Sequence, residues 1–222
     1  MVKRCNPRMC EGGVCDAEEC PLIFEWAQAL HDANPNALFW LYQLHPGLLN
    51  SPVDSGYTLL HLAATRGQVE MATYLILMGA DVNARVEGTG ETPLLCASNY
   101  PAIVVELLNK GCYVDPADEY NKTPLMYVAW HNNLLVAKLL IQHGANVNMA
   151  GISNSSYTIP NTPLRCAVRK GLTEMVELLL KAGALVHDQF DAQQGSVTKN
   201  AAKAGLTDIV QLLVANGGDP NV

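Results

Sequence analysis

The sequence predicts an all-α solenoid, a stack of helix–turn–helix units joined by β-hairpin-like loops. Three observations predict it. Self-similar strings recur along the chain: GYTLLHLAATRGQVEMATYLILMGADVNA from Gly56, NKTPLMYVAWHNNLLVAKLLIQHGANVN from Asn121 and NTPLRCAVRKGLTEMVELLLKAGALVH from Asn161, with related strings from Gly90 and Gly195. The Thr or Ser that opens each unit falls at Thr58, Thr92, Thr123, Thr162 and Ser196, in steps of 34, 31, 39 and 34 residues. Inside the units apolar residues keep helical spacing, as at Val136, Leu139, Leu140 and again at Val176, Leu179, Leu180. A single unit of this size cannot bury its own apolar face, so the units must stack.

Each element of the unit has a physical reason. Thr before Pro, at Thr92, Thr123 and Thr162, is a helix start. The hydroxyl caps an orphan N–H and Pro fits the first helical position. Small residues follow at Ala63, Ala64, Ala97, Ala129, Ala167, Ala201 and Ala202, letting neighbouring helices approach closely. The units close on Gly79, Gly111, Gly144, Gly183 and Gly217, which supply the left-handed cap.

Along the chain, residues 1–19 read as a Cys-bearing tail and residues 20–51 as a divergent capping repeat. Two apolar helices are expected there, Pro21 to Leu30 and Pro35 to Leu44, stopped by His45-Pro46-Gly47. The large residues Phe24, Trp26, Phe39, Trp40 and Tyr42 are read as its core. Five units follow, at about 52–84, 85–115, 116–148, 155–187 and 189–222. The second is short between its helices, where Asn99-Tyr100-Pro101 replaces a Gly turn. The loop before the fourth is long, spanning Ala150 to Pro160. Lys199 and Asn200 make the last unit more polar, as a terminal repeat requires.

Composition narrows the function classes. The chain has 222 residues, half of them apolar, and a formal net charge of −7. That is a globular composition without the basic footprint that nucleic acid or an anionic membrane needs. The apolar run from Ala72 to Met78 is too short to span a bilayer, and no secretory signal opens the sequence. With seven cysteines, the expectation is a monomer in a reducing compartment. The cytoplasm, or a host cell's cytoplasm for a delivered bacterial protein, fits this; the nucleus stays open. Phosphate-binding glycine loops, nucleophile elbows and HExxH are absent, so neither an enzyme nor a cofactor is expected.

The Thr-Pro-Leu triplets at Thr92, Thr123 and Thr162, the Thr58-Leu59-Leu60-His61 variant and the Gly79-Ala80-Asp81-Val82-Asn83 string resemble the ankyrin-repeat family over roughly residues 52 to 222. The resemblance implies a protein-interaction module, an adaptor or scaffold. Such modules bind a partner protein along a concave surface made of loop tips and first-helix faces. Carried onto this sequence, the contact positions are Tyr57, Arg66, Glu91, Tyr100, Tyr120, Lys122, Trp130, His131, Tyr157, Ile159, Arg169 and Lys170. Trp130 is the most informative, because Trp, Tyr and Arg dominate interface hot spots. Tyr57, Tyr100, Tyr120 and Trp130 are read as one aromatic track. The resemblance also implies that His61 is structural and that Asn83 is a candidate for asparaginyl hydroxylation.

Other readings stay open. Cys5, Cys10, Cys15 and Cys20 recur every fifth residue. Four thiolates can hold zinc, but the usual two-residue knuckle spacing is missing, so a loosely packed thiol-bearing tail competes with a zinc element. Cys96 and Cys166 occupy one site in two non-adjacent units and are expected as free thiols. The module could also serve an enzyme in a longer chain, or be a secreted bacterial effector.

Overall fold

The computed structural model describes residues 21–152, 160–187 and 195–219. The chain is an all-α stack of paired helices. It divides into two compact units, one ending at Tyr113 and the other beginning at Val114.

The first unit holds three pairs: α1 (Pro21–His31) with α2 (Pro35–Leu44), α3 (Leu59–Arg66) with α4 (Val69–Leu77), and α5 (Pro93–Cys96) with α6 (Pro101–Asn109). First helices pack on first helices and second on second: α3 touches α1 and α5, while α4 touches α2 and α6. Ala63, Ala64 and Ala72 are wholly buried where these rows meet, as the small-residue reading requires. Helix α5 is a single turn. Pro101 disfavours helical geometry at Tyr100, so the chain turns through Ala97–Tyr100 instead of continuing.

The second unit repeats the arrangement. Here α7 (Pro124–His131) pairs with α8 (Leu134–Gln142), α9 (Pro163–Lys170) with α10 (Thr173–Lys181), and α11 (Val197–Lys203) with α12 (Thr207–Ala215). Its first-helix row is α7, α9, α11 and its second-helix row α8, α10, α12. Leu125, Val136, Leu140, Leu164, Val176 and Leu179 fill the space between. The long loop before α9 closes at its base as an antiparallel pair, β1 (Gly151–Ile152) with β2 (Pro160–Asn161). Tyr157 and Ile159 lie outside the described residues, as do Cys5, Cys10, Cys15 and Cys20.

Caps explain where helices start and stop. Thr92, Thr162 and Ser196 each accept a bond from the backbone N–H three residues on, at 3.4, 3.3 and 3.1 Å. Thr123 departs from this. It opens α7 with the same extended backbone, yet makes no side-chain cap, and its hydroxyl is buried without a partner. All five closing glycines adopt positive φ, between 78° and 95°, a region costly for residues with a Cβ.

The N-terminal pair corrects one expectation. Trp26 is buried, but Phe24, Phe39 and Trp40 are exposed, at 70%, 46% and 66%. The reason is one-sided packing. α1 and α2 meet α3 and α4 on one side, and no described element covers the other, so only one aromatic face finds a core.

Candidate functional site

Loop stitches tie neighbouring repeats together within each compact unit. Within the first unit the Asn50 side chain accepts from the Asp81 N–H at 2.8 Å, and that of Asn83 from the Tyr113 N–H at 2.8 Å. In the second unit Asp115 accepts from the Asn146 N–H at 2.8 Å. Asn148 accepts from the Leu185 N–H at 2.8 Å and donates to the Gly183 carbonyl at 3.1 Å. Asn83 and Asn148 are thus engaged carboxamides that tie one loop to the next.

Several expected contact residues carry structural duties. The Tyr57 hydroxyl donates to the Glu91 carboxylate, joining two loop tips, and this bond pushes the phenol up to about 12. A Cβ at Gly67 would stand 2.2 Å from the Tyr100 ring, so Tyr100 lies directly on that turn rather than standing free. His61 is fully buried. Its Nδ1 accepts from the Thr58 N–H at 3.2 Å and sits 2.9 Å from the Thr58 hydroxyl. Its Nε2 faces the Glu91 carbonyl at 3.3 Å. That network fits the neutral ring protonated on Nε2, and burial lowers its pKa.

The second unit gathers the more accessible candidates. Asp118 accepts from the N–H groups of Tyr120 and Lys122, both at 2.8 Å, and from the Tyr127 hydroxyl at 2.8 Å. This fixes the tip on which the Lys122 ammonium lies 5.4 Å from the Tyr120 ring. Trp130 and His131 end α7 exposed, and Arg169 and Lys170 end α9 exposed. Lys170 Nζ stands 4.1 Å from the Trp130 ring centroid, a cation–π pair that holds a large apolar surface in place. Arg66 ends α3 of the first unit, also exposed.

Beside Arg169 a cleft of about 330 Å³ opens between α9 and α11, lined by Arg165, Val168, Arg169, Val197, Asn200 and Ala204. The sequence reading missed it. Arg165 sits at the position filled by His61, Leu95 and Met126 in other units, and its side chain turns to the Gly195 carbonyl at 3.3 Å. The available signal was a pair of cations, Arg165 and Lys199, at a position that holds Leu95 and Met126 in the two repeats before them. Cys96, Cys112 and Cys166 are free, and burial pushes each thiol up to about 11, which suits inert packing groups rather than nucleophiles. Among the described residues no cluster of His, Cys, Asp or Glu could hold a metal ion. Among them, too, no helix is long and apolar enough to cross a membrane.

A family model for three copies of the ankyrin repeat matches residues 26–117 and 77–151, and a single-repeat model matches 161–191. The chain belongs to the ankyrin-repeat family. The match extends into the divergent N-terminal pair. Over 191 residues the chain is 26% identical to the ankyrin repeat protein nuc-2 of Neurospora crassa, covering 84% of this chain and 17% of that protein. It is 35% identical over 146 residues to human ankyrin repeat and SOCS box protein 16, covering 66% of this chain and 31% of that one. The chain thus spans less than a third of either relative. The ankyrin repeat domain of Bcl-3, a member of the IkappaB family, superposes with a TM-score of 0.77 at 25% identity, over 90% of this chain and 86% of that domain. Ankyrin-repeat domains are generally protein-binding modules and typically non-catalytic.

Proposed function

We propose that this chain is a non-catalytic adaptor or scaffold that binds a partner protein on the exposed ends of its first helices and the adjoining loop tips. Each of the five repeats from residue 52 supplies such positions, and residues 20–51 serve as a capping repeat. The observation that carries the reading is Trp130. It is 37% exposed at the end of α7, braced by Lys170 and flanked by His131 and Arg169. A preorganised aromatic on a rigid helix offers large contact area at little entropic cost. Tyr120 and Lys122 extend the same surface from the loop before α7. A monomer working in a reducing compartment suits the free buried thiols.

The test is a randomised 15-residue peptide library panned on the full chain, with binders re-measured on Trp130→Ala. The reading expects specific binders that weaken at least about tenfold on the variant, since hot-spot truncations cost 2 kcal/mol or more. Thermal melting should change little. Binders indifferent to Trp130, with melting strongly lowered, would contradict it.

A further inference from the structure

In the second unit the first helices carry cations without carboxylates, whereas the second-helix row carries both signs, with Lys138 on α8 and Lys181 beside Glu174 and Glu177 on α10. First helices α9 and α11 carry Arg165, Arg169, Lys170, Lys199 and Lys203, and neither contains an Asp or Glu; α7 contains no acid either. The described carboxylates of this unit lie elsewhere: Glu174 and Glu177 on α10, Asp208 on α12, and the rest in loops. No described carboxylate pairs with Arg169, Lys199 or Lys203, whereas Lys181 on the second-helix row pairs with Glu177 at 2.7 Å. Cations without a carboxylate partner among the described residues, in a chain of net charge −7, favour a local positive potential against the overall field.

The cleft between α9 and α11 lies within this cationic row. Its lining mixes the apolar Val168, Val197 and Ala204 with the polar Arg165, Arg169 and Asn200. Arg165 is 5% exposed and anchored on the Gly195 carbonyl, so its guanidinium is a fixed part of the wall. Such a cleft accepts a short apolar side chain together with a carboxylate. Guanidinium groups suit carboxylates because their planar fork matches both oxygens.

Resting on the reading of this chain as a protein-binding module, we infer that the α9–α11 face docks an acidic polypeptide segment, with an Asp or Glu side chain on the exposed Arg169 guanidinium beside the cleft. An aromatic or aliphatic residue of the same segment would lie toward Trp130. Nucleic acid is the other polyanion class to weigh. Its uniform charge fits poorly with a cleft half walled by Val and Ala and with a chain of net charge −7.

The experiment uses the full chain, the 15-residue peptide library and two further probes, a single-stranded dT20 oligonucleotide and phosphatidylserine vesicles. Retained peptides are sequenced. Their affinities are then measured on wild type, Arg169→Glu, Lys203→Glu and, as a control on the second-helix row, Lys181→Glu. The altered side chains are exposed, and circular dichroism melting confirms that each variant folds. The inference expects retained sequences enriched in Asp and Glu, binding weakened about tenfold or more by Arg169→Glu or Lys203→Glu but not by Lys181→Glu, and further weakening at high salt. Retained peptides that depend on Trp130 but lack acidic enrichment would overturn the inference and leave the binding module standing. No retained peptides would overturn both. Binding of dT20 or vesicles through Arg169 and Lys203, without acidic peptides, would also overturn it.

Discussion

Thr123 and Thr162 open equivalent helices with the same residue and nearly the same backbone, φ −92° and −99°, both with ψ 162°. Their hydroxyls differ. That of Thr162 accepts the Arg165 N–H at 3.3 Å, whereas that of Thr123 is buried and unpaired. Valine keeps the β-branched shape and the extended backbone while deleting the hydroxyl. Thr162→Val therefore loses a cap worth about 1 kcal/mol. Thr123→Val removes a buried polar group with nothing to lose, so it should be neutral or stabilise by up to about 1 kcal/mol. In a chain of this size 1 kcal/mol corresponds to about 2–4 °C in melting temperature. Both helices lie in the second unit, so circular dichroism melting of the two variants reads the same body. Thr162→Val should melt lower than wild type and Thr123→Val at or above it. Equal losses at both sites would mean that the capping bond does not distinguish the two threonines, against the expectation.

Three further outcomes are expected. Burial depresses the His61 pKa, so the folded state holds this ring neutral while the unfolded chain takes up a proton below about pH 6.5. His61 thus supports the fold above that pH and its contribution is lost as pH falls; urea midpoints between pH 7.5 and 5.5 should fall less steeply for His61→Leu than for wild type. Gly67→Ala places a Cβ against the Tyr100 ring at φ 68° and should cost at least about 1 kcal/mol, read as a lower urea midpoint. Asn148→Ala deletes two inter-loop bonds and should cost about 1–2 kcal/mol, with faster amide exchange at Leu185.

The repeating parts of this protein were legible because each is written in local chemistry. Thr-Pro starts, Gly stops and apolar helical stripes place the helix pairs without any tertiary information. Three of the five N-terminal aromatics were misread for the converse reason, while Trp26 is buried as expected. Burial of Phe24, Phe39 and Trp40 depends on how many neighbours a helix has, and among the described residues α1 and α2 have neighbours on one side. The same limit applies at the contact surface. Repeat logic placed Trp130, Arg169 and Lys170 outward, where they are found. It also nominated Tyr57 and Tyr100, whose rings serve an inter-loop bond and a turn. The cleft beside Arg165 joins side chains some 30 residues apart, which periodicity treats as separate instances of one position.

Backbone amide NMR of the labelled chain, titrated with a peptide selected from the library, maps the binding surface residue by residue. Shift changes should be confined to the ends of first helices and adjoining loops, strongest around Trp130, Arg169 and α11. Perturbations centred on the second helices α8, α10 and α12, with the Trp130 and Arg169 resonances unmoved, would contradict this placement.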